Sequence, residues 1–256
     1  MFYQDRCRSC GACIKKCPEG ANAFVDGKLV LDRNKCTACG ICTDWCAMDA
    51  REIVGKEYTI QELVKEAEKD RMFYETSGGG ITLSGGEVMV TDPVFLEKFC
   101  GILYDKGYSV NIDTSGYAPY ENFTRLLPYI DTFLYDIKHM DPEEHKKYMG
   151  VDNELILDNL KKLSADGAKI NIRIPVIGGV NDTEEQMDQI IAFLLDNHIR
   201  VVQVNLLPYH NTGMGKYSKL DRSYDSESMT VPSKERMELF SDKFKANGFH
   251  NTKIGG

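Results

Sequence analysis

The chain has 256 residues, of which 42% are hydrophobic and 27% charged, and its formal net charge is −8. These values suit a globular protein with a substantial core in one large or two modest domains, and the negative charge argues against nucleic-acid binding. Apolar runs such as residues 190–195 are far too short to span a membrane. Because the N-terminal residues form no apolar targeting segment, the sequence predicts a cytoplasmic protein.

Cysteine residues are concentrated near the start of the chain. Eight of the nine lie between Cys7 and Cys46, and the ninth is Cys100. At this density, and with no export signal, metal binding is favoured over disulfide bonds. Cys100 lies on an apolar, helix-like stretch, where a buried and unreactive thiol is expected.

The eight clustered cysteines form two sets with the same C-x2-C-x2-C-x3-C spacing. This spacing is typical of bacterial two-cluster ferredoxins, in which the fourth cysteine of each set binds the cluster of the other set. Structural zinc and disulfides are the alternatives, but four-thiolate zinc sites usually come as two separated C-x2-C pairs. The spacing therefore predicts one 4Fe–4S cluster held by Cys7, Cys10, Cys13 and Cys46, and a second held by Cys17, Cys36, Cys39 and Cys42.

The order of the predicted elements divides the chain in two. A short hairpin with Asp26 and Gly27 at its turn separates the cysteine sets, so residues 1–56 are predicted to form a ferredoxin-like domain. Residues 57–256 alternate strands and helices, which predicts a parallel sheet with crossover helices and two covered faces. The predicted strands are GGITLSGG, YSVNIDTSG, DTFLYDIK, AKINIRIPV and VVQVNLLPY, and the predicted helices begin at Thr59, Asp92, Glu121, Asp141, Glu154, Asp182 and Ser233.

Polar, glycine-rich or charged groups follow each of the five predicted strands. Functional residues in such sheets gather at the carboxyl ends of the strands. Five such ends predict a site for a ligand that carries both signs of charge. The groups are Ser84 to Glu87, Asp113 to Gly116, Asp136 to Lys138, Arg173, and Tyr209 with His210.

The motifs GGGITLSGGE, DTSGY, DIKHMDPEEHKKYMGV, INIRIPVIGGVND and NLLPYHNTGMGKY occur in this order after the cysteine sets. Together they resemble the glycyl-radical-enzyme activating enzymes, a branch of the radical S-adenosylmethionine (SAM) superfamily, over essentially the whole chain. The resemblance implies an α/β fold. It is a partial (β/α) barrel of the radical SAM type, with the first strand missing and a bacterial ferredoxin-like domain with two 4Fe–4S clusters inserted.

The resemblance also implies an activity. Such an oxidoreductase cleaves SAM reductively to a 5′-deoxyadenosyl radical, which removes a hydrogen from a glycine Cα of a partner glycyl radical enzyme. Reduced flavodoxin or ferredoxin is the implied electron donor. A third 4Fe–4S cluster in the complete protein and a monovalent cation near Asp113 and Asp136 are further implied cofactors. The sequence does not name the partner glycyl radical enzyme.

The resemblance gives roles to several residues at the strand ends. The backbone carbonyls of Gly85 and Gly86 and the carboxylate of Glu87 suit the ammonium group of SAM. Lys138 and Arg173 are placed to pair with the SAM carboxylate or the ribose region.

His210 resembles the family residue near the adenosine, and follows a strand into the expected site. For the other site residues, alternative interpretations stay open. The two glycines could form a simple turn. Asp136 and Lys138 could form an exposed ion pair of about 1 kcal/mol or less, and Arg173 could be structural.

The family also carries a C-x3-C-x2-C motif, whose three cysteines hold a cluster with one iron open to SAM. Residues 1–256 contain no such motif. We therefore expect the first strand and the cluster loop to be absent, through truncation, a start site placed too late or a separate chain, and these residues to be inactive alone. A two-cluster electron-transfer protein with the barrel as a docking body, or a module that binds SAM without chemistry, are the alternatives.

Overall fold

The computed structural model describes residues 1–210, 219 and 229–255. Within them, one compact unit comprises Met1–Glu57 with Lys219, and a second comprises Tyr58–His210 with residues 229–255. Lys219 joins the first unit through its carbonyl, which accepts a hydrogen bond from the N–H of Phe2 at 3.1 Å. The division into domains 1–56 and 57–256 stays a prediction. No helix in the described part of the chain has the length and apolar character needed to cross a membrane.

The first unit repeats one plan with an offset of 29 residues, the interval between Cys7 and Cys36. In each half, a glycine with positive φ, Gly11 at 73° or Gly40 at 85°, begins a short helix. The elements are helix α1 (Ala12–Lys16), strands β1 (Asn22–Val25) and β2 (Lys28–Leu31), and helix α2 (Ile41–Asp44). The strands β1 and β2 form an antiparallel ladder, and Phe2 and Arg51 form an isolated antiparallel bridge.

The second unit contains a six-stranded parallel sheet whose strand order follows the chain order. Its first five strands confirm the predicted ones. The sixth was missed in the sequence because it has only three residues, one of them apolar. The strands are β3 (Ile81–Leu83), β4 (Val110–Thr114), β5 (Thr132–Asp136), β6 (Ile170–Val176), β7 (Val201–Pro208) and β8 (Thr252–Ile254).

Helices connect these strands, and several begin at the predicted caps. Thr59 and Glu62 form the predicted capping box, and the Asp92 carboxylate accepts from two backbone N–H groups of the following helix. The second helix after Thr59 was not predicted. The helices are α3 (Ile60–Glu68), α4 (Arg71–Ser77), α5 (Pro93–Asp105), α6 (Tyr120–Leu126), α7 (Pro142–Met149), α8 (Glu154–Ala165), α9 (Glu184–Asp196) and α10 (Lys234–Ala246).

The two faces of the sheet differ in burial. Along β6 the residues Ile170, Ile172 and Ile174 are fully buried, and they belong to the main apolar core. Asn171 and Arg173 alternate with them and are only partly buried. The expectation of two covered faces is therefore wrong for one face, which carries polar side chains. Because side chains alternate along a strand, this face presents the charged residues of the strand ends.

A close contact at the end of β4 gives a stability prediction. A Cβ added to Gly116 would lie 1.8 Å from the Tyr135 hydroxyl oxygen, and Tyr135 is fully buried and donates to the Ile156 carbonyl at 2.7 Å. Gly107 has the same φ of 80°, but no atom lies within 4 Å of its added Cβ. Gly116→Ala is expected to lower the free energy of unfolding by roughly 2–5 kcal/mol, from the left-handed backbone and from overpacking.

Gly107→Ala is the matched control, since it meets only the backbone penalty of about 1–2 kcal/mol. Urea unfolding of both variants measures the difference. Equal losses would show that the contact with Tyr135 does not restrict this position.

Candidate functional site

The first unit contains two cavities, each lined by four cysteines. One cavity has a volume of about 320 Å³ and the other about 210 Å³. None of the nine cysteines forms a disulfide. The structure thus brings the cysteines together in the crossed sets expected from the sequence, which are Cys7, Cys10, Cys13 and Cys46 in the larger cavity, and Cys17, Cys36, Cys39 and Cys42 in the smaller.

The thiols line open cavities, and backbone N–H groups donate to two of the sulfurs. Among the described residues, no three His, Cys, Asp or Glu side chains converge tightly enough to hold one metal ion. The thiols surround open space instead, as a cube of iron and sulfide requires. Backbone N–H groups of Ala21 and Ala50 donate to the sulfurs of Cys17 (3.3 Å) and Cys46 (3.2 Å). The bond from Ala21 lowers the pKa of Cys17 and so favours its thiolate form.

The ninth cysteine is a separate case. Cys100 lies in α5 and is fully buried, and burial raises the pKa of its thiol to about 12. The expected burial of this thiol is confirmed, and its lack of reactivity stays a prediction. Eight of the nine cysteines thus line the two cavities, and the ninth lies in the core.

In the second unit, the carboxyl ends of β3, β4, β5 and β6 surround a cavity of about 200 Å³, here called the rim cavity. Six of the eight residues predicted for this site line it, while Glu87 and His210 do not. Three further lining residues had been noted at strand ends without a role. The lining consists of Ser84, Gly85, Gly86, Asp113, Thr114, Ser115, Asp136, Lys138 and Arg173.

Four charges of alternating sign lie in the rim cavity. The Arg173 guanidinium is 2.6 Å from Asp113 Oδ1 and 3.6 Å from Asp136 Oδ1. Lys138 Nζ is 3.5 Å from Asp136 Oδ2, and Ser84 donates to Asp113 at 3.1 Å. The Asp136 and Lys138 side chains are only 16% and 29% exposed, so the alternative of an exposed strand-end pair does not describe them. This site can receive a ligand with both signs of charge.

Asp136 is the least satisfied group of the rim cavity. Its Oδ1 atom is buried and accepts no hydrogen bond. Burial raises the pKa of this carboxyl, against the opposing effect of Lys138 and Arg173. A buried carboxylate oxygen without a donor is unfavourable. The Arg173 guanidinium, 3.6 Å from Oδ1, is too distant for a hydrogen bond, and a donor group of a ligand would supply one.

Glu87 lies beside the rim cavity and binds its own chain. Oε1 accepts from the Met89 N–H (3.0 Å) and the Thr114 hydroxyl (2.7 Å). Oε2 accepts from the N–H (2.8 Å) and the hydroxyl of Ser115. The four bonds fix the loop after β4, which gives Glu87 a positioning role. Binding of an ammonium group by Glu87 stays a prediction.

Two buried asparagines position the strand ends and were missed in the sequence. Asn159 Nδ2 donates to the carbonyls of Gly116 and Ala118, both at 2.8 Å. Asn181 Nδ2 donates to the carbonyls of Lys138 and Pro175, both at 2.7 Å. Asn181 lies in the motif INIRIPVIGGVND, which contributed to the family resemblance. The motif did not indicate that this side chain joins two strand ends. Asn159 lies within α8 and had no local signal.

His210 follows β7 and is exposed. Residues 211–217, which complete the motif NLLPYHNTGMGKY, lie outside the described residues. The role of His210 near an adenosine therefore stays a prediction.

Comparison with known proteins identifies two sequence families in the chain. Residues 33–194 match the family model of the radical SAM superfamily. Residues 1–21 match the model of the 4Fe–4S binding domain. The radical SAM match covers more than half of the chain, and its α/β architecture agrees with the parallel sheet of the second unit.

Individual relatives indicate the branch of the superfamily to which the chain is similar. The trans-4-hydroxy-L-proline dehydratase activating enzyme of Clostridioides difficile is 50% identical over 258 residues, which cover 100% of this chain and 84% of that protein. The choline trimethylamine-lyase activating enzyme of Oleidesulfovibrio alaskensis is 37% identical, over 95% of this chain and 81% of that protein.

A solved structure agrees with these relatives. A domain of the pyruvate-formate lyase-activating enzyme from Bacteroides vulgatus superposes with a TM-score of 0.60 at 30% identity, over 70% of this chain and 100% of that domain. The family model, the relatives and the shared fold all point to the same group. The chain therefore belongs to the glycyl-radical-enzyme activating enzymes of the radical SAM superfamily.

Proposed function

We propose that the rim cavity binds the amino acid end of SAM, and that the chain thereby serves the activation of a glycyl radical enzyme. When bound and cleaved by one electron, SAM supplies the radical that removes a hydrogen atom from the glycine of the partner. The alternating charges of the rim cavity carry this proposal, because SAM has an ammonium, a carboxylate and a sulfonium. The 50% identical relative is named for a trans-4-hydroxy-L-proline dehydratase, and we propose a dehydratase of that kind as the partner.

Each charged group has a counterpart in the ligand. Asp136 Oδ1, which lacks a donor, is proposed to accept from the ammonium group. Lys138 and Arg173 are proposed to pair with the carboxylate. The space that a Cβ would occupy at Gly85 and Gly86 is open, so their backbone can approach the ligand closely. A monovalent cation near Asp113 and Asp136 stays a prediction.

The first unit is proposed to be a bacterial ferredoxin-like domain with two 4Fe–4S clusters, inserted into a partial barrel. The crossed cysteine sets around the two cavities support this assignment. We further propose that the clusters receive electrons from reduced flavodoxin or ferredoxin in the cytoplasm. A two-cluster electron-transfer protein is not favoured, because a docking body would not need a charged rim cavity.

Loss of one charge should weaken SAM binding. Lys138→Met and Asp136→Asn are each expected to raise the Kd of residues 1–256 for SAM about tenfold, since a charge-assisted hydrogen bond contributes roughly 1.5–3 kcal/mol. Equilibrium dialysis with labelled SAM measures the Kd. The control is Lys147→Met, because Lys147 is exposed on α7 and pairs with Glu144. Unchanged affinity in both site variants would contradict the proposal.

Asp136 should also reduce the stability of the ligand-free protein. Its folded pKa lies above the unfolded value of 3.8, so the unfavourable contribution is absent at low pH and develops as the pH rises through the folded pKa. Asp136→Asn is therefore expected to raise the free energy of unfolding at pH 7, on the order of 1 kcal/mol, with a smaller gain near pH 4.

Urea unfolding at the two pH values tests this prediction. Asp105→Asn is the control, since Asp105 is exposed. A loss of stability in Asp136→Asn at pH 7 would show that the pairs with Lys138 and Arg173 outweigh the burial of the carboxylate.

Iron analysis tests the cluster assignment directly. Residues 1–256, reconstituted without oxygen, are expected to bind about eight iron atoms per chain. Because these residues contain no C-x3-C-x2-C motif, they should form no 5′-deoxyadenosine from SAM under strong reductant. Chromatography detects this product, and its formation would contradict the assignment of the eight cysteines.

A further inference from the structure

Arg51 lies between the two cysteine-lined cavities. Among the described residues, it is the one that lines both. It is only 7% exposed, which is unusual for an arginine. No sequence motif points to Arg51, which follows the second cysteine set.

The side chain is held in a fixed position. A terminal nitrogen of the guanidinium donates to Asn22 Oδ1 at 2.7 Å, and its central carbon lies 4.3 Å from the centre of the Phe2 ring. Asn22 in turn donates to the Cys13 carbonyl at 3.3 Å. Asn22 precedes Arg51 by the 29-residue offset of the repeat. Asn22 and Arg51 thus occupy equivalent positions in the two halves of the unit, and their hydrogen bond joins the halves.

The charge of Arg51 is buried without an anionic partner. Within the described part of the chain, its Nε–H donates no hydrogen bond and no carboxylate forms an ion pair with it. A buried, uncompensated guanidinium is strongly unfavourable. The structure therefore leaves a buried cation between the two cysteine-lined cavities.

We propose that Arg51 tunes both 4Fe–4S clusters, donating its free N–H to cluster sulfur and raising both reduction potentials with its charge. The inference rests on the proposed function, in that the two cavities hold the clusters. Each reduction adds one negative charge, and a buried cation stabilises the reduced form more than the oxidised form. Hydrogen bonds to the sulfurs act in the same direction. One residue would thus set the electron affinity of both clusters.

The experiment uses residues 1–256 reconstituted with iron and sulfide. Midpoint potentials are measured by titration with dithionite and low-potential mediators, followed by electron paramagnetic resonance. Arg51→Gln is expected to lower both midpoints, each by about tenfold in the equilibrium constant for one-electron reduction, which is about 59 mV. Arg51→Lys keeps the charge and is expected to shift them less. Lys28→Gln is the control and is expected to leave both midpoints unchanged, since Lys28 is exposed on β2 and lines neither cavity.

The possible results test the cluster assignment and the role of Arg51 separately. If the wild type binds far fewer than about eight iron atoms, the cluster assignment itself fails. If Arg51→Gln holds both clusters at unchanged potentials, Arg51 does not tune them, although the cluster assignment stands. If Arg51→Gln loses its clusters, the Arg51→Lys variant distinguishes the two roles. Clusters in Arg51→Lys with potentials near those of the wild type would support the role of the charge. Loss of the clusters from Arg51→Lys as well would show that Arg51 has a purely structural role.

Discussion

The rim cavity depends on a chain of opposite charges across three parallel strands. Arg173 on β6 reaches past β5 to Asp113 on β4, and Asp136 on β5 lies opposite Arg173 in the strand register. The side chains alternate along each strand, so the same register that buries the isoleucines of β6 places Arg173 on the open face. Asp113 is the closest anionic partner of Arg173, so its removal would leave the guanidinium with only the more distant Asp136. The binding function and the packing of the sheet are therefore set by one register.

Buried amides and carboxylates keep this arrangement in place. Glu87 fixes the loop after β4, while Asn181 links the ends of β5 and β6. Asn159 reaches the same loop from α8. None of these side chains lines the rim cavity. A ligand that replaces water there meets dipoles and charges whose positions are already fixed, so little ordering is needed on binding.

The sequence predicted the parts of the molecule that are locally determined. Period and spacing were sufficient for five strands and the Thr59 cap, because each depends on residues close together in the chain. The crossed cysteine sets, which bring Cys46 to Cys7, were predicted from the known ligand pattern of two-cluster ferredoxins. Contacts between distant residues could not be read in the same way. Glu87 binds Ser115, Asn159 binds Gly116 and Arg51 binds Asn22, each over 28 to 43 residues. Strand β8 has three residues and too little apolar character to be recognised alone.

Both units contain a buried ionic group with one unused hydrogen-bonding atom. Among the described residues, the charged side chains in this state are Arg51, at Nε, and Asp136, at Oδ1. A buried polar atom without a hydrogen-bond partner is unfavourable in a protein without ligands. The charge of each side chain indicates the charge of the group that would bind beside it. The cation lies beside cavities lined by thiols, which become anionic when they hold a cluster, while the anion lies in the rim cavity where a cationic group of SAM would bind. The two side chains carry opposite charges, and each charge is complementary to the ligand inferred for that cavity from sequence. We therefore interpret both as cofactor-binding features rather than as defects of packing.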